Sequence, residues 1–146
     1  MRNLNKIFDY QNETFKPFLI DSGSNFFRKL IFFFRILIDT PHRTIINSLK
    51  KNLKYLKGNT VLDVGCGNQF YKRYIPENMD YNGIEIKETK KYFKNFSDVI
   101  YYNGKKIPFK NETFDNALCL EVLEHVYDFQ NLIKEINRVL KKNGIL

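Results

Sequence analysis

The sequence predicts an α/β fold with a mainly parallel sheet, and three observations carry that expectation. From Thr60 onward, short β-rich runs alternate with helical stretches, the pattern of repeated β-α units. The run Phe114 to Leu120 carries few charges, as suits a central parallel strand covered on both faces. A glycine turn, Gly65-Cys66-Gly67, directly follows the run Thr60-Val61-Leu62-Asp63-Val64. That is where an open parallel sheet presents its carboxyl edge to a ligand.

In chain order, residues 1–22 show weak periodicity and predict an irregular arm. Ser24 is placed to cap a helix over 25–39, which Pro41 follows. A second helix is predicted over 42–57. There Ile45, Ile46, Leu49, Leu53 and Leu56 recur at helical spacing, with Lys50, Lys51, Lys54 and Lys57 on much of the other side. Gly58-Asn59 closes it. The strand at 60–64 is followed by a short helix at 69–75, a strand at 81–86, a short helix at 88–95, a strand at 98–102 and the strand at 114–120. Helices are then predicted at 121–126 and 128–142. Phe129, Leu132, Ile133, Ile136, Val139 and Leu140 mark the apolar face of the last. Asn143-Gly144 ends it, and Ile145-Leu146 reads as the opening of a fifth strand.

The chain of 146 residues is enough for one modest domain, and its 43% hydrophobic and 27% charged content excludes a disordered composition. Fourteen Phe and nine Tyr supply bulk for a core. The two cysteines, Cys66 and Cys119, exclude a disulfide framework and a four-cysteine metal centre, and no metal site is expected. Met1-Arg2-Asn3 leads into mixed polar residues rather than a secretory apolar run, so a cytoplasmic location is expected. The greasiest stretch, Phe26 to Ile38, is 13 residues long and contains Arg28, Lys29 and Arg35, too short and too charged to span a bilayer. It suits a buried helix, a lid over a pocket, or an interfacial helix in peripheral contact with the inner membrane surface. The formal net charge of +8 is uneven: residues 1–60 hold 11 basic and 4 acidic side chains, residues 61–146 hold 13 and 12. A basic entry segment of this kind attracts nucleic acid, anionic lipid or acidic substrates, or simply solubilises the chain. The expected division is a basic helical segment over 1–58 and a ligand-binding α/β core over 59–146.

Glycines at 65 and 67 let the main chain turn tightly and approach a ligand. Glu85 lies 20 residues beyond Gly65, at the end of the next strand, where a carboxylate accepts both hydroxyls of a ribose. A bound nucleoside is therefore expected. A dinucleotide site wants G-x-G-x-x-G, but the third glycine position holds Phe70. Asp63, two residues before the first glycine, suits a cationic ligand group better than a pyrophosphate. S-adenosylmethionine offers an ammonium, a sulfonium and a ribose without a phosphate, and fits this set better than NAD.

With these residues in view, the chain resembles the class I S-adenosylmethionine-dependent methyltransferases, in the type 11-like group of small-molecule enzymes. The resemblance covers about 55–146. It rests on VLDVGCGN at 61–68, GIEI at 83–86, IPFKNETFDNALCLEVLEHV at 107–126 and LIKEINRVLKKNGIL at 132–146. It implies a Rossmann-like parallel sheet with seven strands, of which the C-terminal ones are missing from this chain, leaving the core incomplete. It also implies roles for individual residues. Asp63, Gly65, Cys66 and Gly67 would lie beside the methionyl part of the cofactor, and Glu85 would bind the ribose, with Ile84 and Ile86 near the adenine. Asn103 falls where the family usually has an adenine-binding Asp, with Gly104 and Lys105 beside it. Cys119 and Leu120 would line the cofactor and the point of methyl transfer. Two departures stand out: Gln69 replaces the usual third glycine of the first motif, and Lys142-Asn143-Gly144 replaces a Pro-Gly-Gly turn.

Methyl transfer is an in-line displacement at a sulfonium methyl, so alignment and desolvation matter more than any universal catalytic group. Where the acceptor is a hydroxyl or amine, Glu121, Glu124 and His125 are the nearest candidates for a base, although a structural role suits each of them better. His42 reads as a surface or helix-start residue. The expected activity is methyl transfer to a small-molecule, sugar-linked or lipid-like acceptor. The alternatives are an RNA or protein methyltransferase using the basic segment, or a cofactor- or partner-binding protein without catalysis. An Asn/Asp-Pro-Pro-Tyr/Phe motif is absent after the fourth strand, which disfavours methylation of base amino groups.

Overall fold

The computed structural model describes residues 40–92 and 98–146. The arm at 1–22, the helix at 25–39 and the 26–38 stretch proposed for peripheral membrane contact lie outside the described residues. Among the described residues, no helix is long and apolar enough to cross a membrane.

Five strands form one parallel sheet: β1 (Thr60–Val64), β2 (Asp80–Ile86), β3 (Val99–Tyr102), β4 (Phe114–Leu118) and β5 (Leu140–Ile145), in the order β3-β2-β1-β4-β5. The chain runs outward from β1 to β3 and then crosses back to β4. The reversal of direction therefore falls between β1 and β4, where parallel sheets open a crevice at their carboxyl ends. The expected α/β parallel fold is what the chain adopts.

Register explains the layering. Val61 and Asp63 pair with Tyr81 and Gly83, and Leu62 and Val64 with Asn82 and Ile84. Side chains alternate across a strand, so Asp63, Tyr81, Gly83 and Glu85 share one face while Leu62, Val64, Ile84 and Ile86 share the other. The second face carries the main core, closed by α2 (Phe129–Val139) through Leu132, Ile136 and Val139. Burial of each such side chain is worth about 1.5–3 kcal/mol. Asp128 caps α2 by accepting the Asn131 N–H at 3.0 Å. Phe129, expected on the apolar face, is exposed because it precedes the first turn that meets the sheet.

Several predicted helices are shorter than their patterns suggest. Helix α1 (Thr40–Asn52) passes into a 3₁₀ turn at Leu53–Tyr55. Single 3₁₀ turns at Phe70–Tyr74, Lys87–Lys91 and Leu123–His125 replace the helices predicted at 69–75, 88–95 and 121–126, with 93–97 outside the described residues. Pro76 and short connections leave these segments too little length to close several α-helical bonds. The largest correction is at the end. Helix α2 stops at Val139, and β5 starts at Leu140 rather than at Ile145. Leu140 pairs with Phe114 and Ile145 with Asn116, so the residues between them form an irregularity inside the strand. Asn143 takes φ 69° there, the left-handed geometry its short amide side chain tolerates.

Two polar clusters fasten the frame. At the amino edge, fully buried Asn116 donates to the Lys57 and Thr60 carbonyls at 2.7 and 3.1 Å and accepts the Lys57 N–H at 3.0 Å. Its neighbour Asp115 accepts from Asn59 and Thr60 and pairs with Lys141 at 2.9 Å. The Lys141 ammonium and the Thr60 hydroxyl hold the Asp115 carboxyl well below the usual carboxylate range. Between α2 and the loop before β4, Arg138 binds Glu135 and donates to the Ile107 and Phe109 carbonyls at 2.9 and 2.8 Å. Glu135 in turn accepts the Ile107 N–H at 2.8 Å.

Candidate functional site

The carboxyl ends of β1 and β2 build the site. After β1, the Gly65 and Cys66 N–H groups both donate to the Ile84 carbonyl, at 2.9 and 3.1 Å, hooking the turn over β2. Gly65 has φ +70°, and a Cβ there would lie 2.4 Å from Val122 Cγ2, so both conformation and space require glycine. Gly67 has φ 52°, and Gln69 follows it in left-handed geometry at φ 57°. The departure from the usual third glycine is thus accommodated by bending Gln69, not by avoiding a positive φ.

Asp63 stands at the foot of this turn, 2% exposed. The Tyr81 hydroxyl donates to its Oδ2. Burial pushes the Asp63 carboxyl up to about 7; the Tyr81 hydrogen bond opposes that rise and the negative charge of Glu85 adds to it. Glu85 is also buried. Its Oε2 accepts the Gly67 N–H at 3.0 Å and its Oε1 the Ile86 N–H at 2.9 Å. Burial raises its pKa, and these two main-chain donors counter the rise. Burial and the neighbouring acids likewise push the Cys66 thiol far up, which leaves it a small neutral packing group against Gly83.

These residues fit S-adenosylmethionine on two counts. Among the described residues, the groups acting on buried Asp63 are a hydroxyl and another acid, with no cation, so it suits a ligand ammonium. The Glu85 carboxylate accepts the Gly67 and Ile86 N–H groups and has the Thr89 hydroxyl as a third partner, which leaves part of its roughly four acceptor positions for a ribose hydroxyl.

The other predicted residues divide. Ile86 and Gly104 come together: Gly104 has φ +73°, and Ile86 Cγ2 lies 3.4 Å from where its Cβ would be. The Asn103 side-chain oxygen turns back into its own loop and accepts the Lys105 and Lys106 N–H groups at 3.0 and 3.4 Å. Lys105 is exposed, and its carbonyl accepts from Asn131 at 2.8 Å. Cys119 and Leu120 are half-buried beyond β4, and burial pushes the Cys119 thiol up to about 11. Glu121 is exposed at φ 57°. Glu124 and His125 sit 4.0 Å apart, each side chain about half exposed, on the 3₁₀ turn after β4. Among the described residues no His, Cys, Asp or Glu cluster could hold a metal ion.

Sequence reasoning missed Tyr81 and Val122. The signal for Tyr81 was the alternation Tyr81-x-Gly83-x-Glu85, which places it on the Asp63 face. Gly83 lacks a side chain, and Tyr81 Cε1 comes within 3.4 Å of where its Cβ would stand, so the ring lies along that gap toward Asp63.

Comparison with known proteins agrees with this geometry. A family model described as a methyltransferase domain matches residues 62–146. A ubiquinone biosynthesis O-methyltransferase of Pelagibacter ubique is 33% identical over 113 residues, covering 69% of this chain and 44% of that protein. A tRNA U34 carboxymethyltransferase of Campylobacter lari is 28% identical over 126 residues, covering 77% of this chain and 43% of that protein. The fold is similar to the crystal structure of a SAM-dependent methyltransferase from Thermotoga maritima, with TM-score 0.54 and 24% identity over 81% of this chain and 56% of that one. The chain spans less than half the length of the curated relatives it matches. With the sheet order, the glycine turn and the family match over most of its length in agreement, the chain belongs to the methyltransferase domain family, the S-adenosylmethionine-dependent class that its motifs resemble.

Proposed function

We propose that the chain holds S-adenosylmethionine at the β1–β2 carboxyl edge and that the protein methylates a small-molecule acceptor. The observation that carries the reading is the buried pair Asp63 and Glu85 flanking the Gly65–Gly67 turn. Asp63 would take the ammonium, Glu85 the ribose hydroxyls, and Ile86 with Gly104 the adenine side. Bound there, the cofactor supplies an activated methyl group on a positively charged sulfur. The protein's task is then to hold that group in line with the acceptor and keep water out, which is worth several kcal/mol from orientation alone. Cys119 and Leu120, half-buried beyond β4, would border the acceptor in this reading.

Glu124 and His125 follow on the 3₁₀ turn after β4, and their exposure would suit a base that serves a hydroxyl or amine acceptor. The curated relatives are named for both a quinone pathway and tRNA, so the names alone do not choose an acceptor. A second reading, RNA as acceptor, is favoured by α1 and the turn after it. Residues 40–57 carry Arg43, Lys50, Lys51, Lys54 and Lys57 without an acid.

Calorimetric titration with S-adenosylhomocysteine, followed by transfer of labelled methyl to small-molecule and RNA pools, tests the reading. Saturable binding and label in the small-molecule pool are expected. Absence of binding overturns it, and label confined to RNA with steep salt sensitivity replaces the acceptor.

A further inference from the structure

We propose that Tyr81 is a positioning residue for cofactor capture: its hydroxyl donates to Asp63 Oδ2, fixes the carboxylate, and leaves Oδ1 to receive the ligand ammonium. This deepens the proposed function and rests on Asp63 binding the ammonium.

The argument begins with what a buried acid needs. Asp63 is almost fully enclosed and faces a second carboxylate, Glu85, so both burial and charge favour its protonated form. Only the ionised form attracts a cation. A lysine or arginine in the place of Tyr81 would keep Asp63 ionised but would also neutralise it and compete with the ligand. A phenol hydroxyl favours the ionised form through a hydrogen bond while leaving the full negative charge on offer.

The fold positions Tyr81 for this. It shares a strand face with Glu85, and the missing side chain at Gly83 gives its ring a path to Asp63. Lys72 Nζ lies 5.2 Å from the centroid of the Tyr81 ring, from the 3₁₀ turn at Phe70–Tyr74, and steadies the ring. Among the described residues, the titratable and charged groups that face Asp63 and its partner are Tyr81 and Glu85 from β2, Cys66 from the glycine turn, Cys119 beyond β4, and Lys72. Both thiols are held neutral, so Tyr81 and Glu85 are the groups that act on Asp63 in opposite directions.

The test is calorimetric titration of the full chain with S-adenosylhomocysteine, which carries the same amino and ribose groups, from pH 5.5 to 8.5. In the wild type, affinity should fall as Asp63 takes up its proton. In Tyr81→Phe that acid limb should move about one pH unit upward, with affinity reduced about tenfold near pH 5.5, about fivefold at pH 7, and the gap nearly closed by pH 8.5. Incorporating 3-fluorotyrosine at position 81 keeps the ring and strengthens the donor, so the limb should move to lower pH. A pH-independent loss in Tyr81→Phe, or a limb that neither replacement moves, overturns the proposal and leaves Tyr81 a packing residue. If Tyr81→Phe does not fold, the fluorotyrosine protein decides. Wild-type protein that binds nothing at any pH overturns the cofactor reading, and this proposal with it.

Discussion

Glu85 Oε2 accepts the Gly67 N–H at 3.0 Å, so the acid proposed for the ribose is also the clip that holds the glycine turn onto β2. Binding and turn geometry therefore share one side chain. Glu85→Gln keeps an acceptor oxygen for Gly67 and should weaken S-adenosylhomocysteine binding about tenfold, the loss of one charge-assisted hydrogen bond. Glu85→Ala removes both functions and should cost about a hundredfold or more, by the loss of two such bonds. Calorimetry reads the affinities. Hydrogen exchange at the Gly67 amide separates the two variants, since it should speed up in Glu85→Ala far more than in Glu85→Gln.

Asp63 sets stability against binding. Its folded pKa near 7 lies above the ordinary carboxylate value of 3.8, so the folded chain holds that proton where the unfolded chain has released it. Stability from this group is fully present below about pH 4 and is lost as pH rises through 7. Asp63→Asn mimics the protonated form. It should be more stable than wild type at pH 8, by on the order of 2–4 kcal/mol, with the gap closing toward pH 4. The same variant should lose cofactor binding. Urea unfolding across pH, paired with titration, checks both; equal stability at pH 8 would contradict the burial of an ionised group.

Gly65 meets two constraints at once, a positive φ and the Val122 side chain. Gly65→Ala should destabilise by about 1–3 kcal/mol through backbone strain alone, with the clash added. Gly65→Ala with Val122→Ala relieves only the clash and should recover part of the loss. A double-mutant cycle in thermal unfolding measures the coupling. Simple additivity would mean that the turn and the loop after β4 do not touch.

Asn116 pairs with Val61 and binds the chain that enters β1. Asn116→Leu strands the Lys57 N–H and the Lys57 and Thr60 carbonyls, and should cost about 2–5 kcal/mol. S-adenosylhomocysteine affinity of the folded fraction should stay within about twofold, because its partners Lys57 and Thr60 are not the groups that bond Asp63 or Glu85. Urea titration and calorimetry read the two effects independently.

The sequence made the sheet legible because its evidence is redundant. The runs at β1, β2 and β4, the Gly65–Gly67 turn and the acid of Glu85 each point to one parallel arrangement. Helix lengths were less legible, since periodicity over 69–75 or 121–126 does not reveal whether the connection has room for more than one 3₁₀ turn. The start of β5 was hidden because Leu140 continues the apolar spacing of α2, while its burial comes from pairing beside Phe114. Tyr81 was hidden for another reason. A tyrosine in a strand reads as core, and only the register that sets Gly83 opposite Asp63 shows where its hydroxyl reaches.

The irregular pairing of β5 carries a consequence for how the frame is tied. Leu140 pairs with Phe114 and Ile145 with Asn116, so the four residues between them are set against the single residue Asp115. Within that stretch Asn143 bends left-handed and Lys141 reaches Asp115 at 2.9 Å. Asp115 also accepts from Asn59 and Thr60 at the start of β1. The kink at the helix boundary thus supplies the slack by which one carboxylate ties the ends of three strands together.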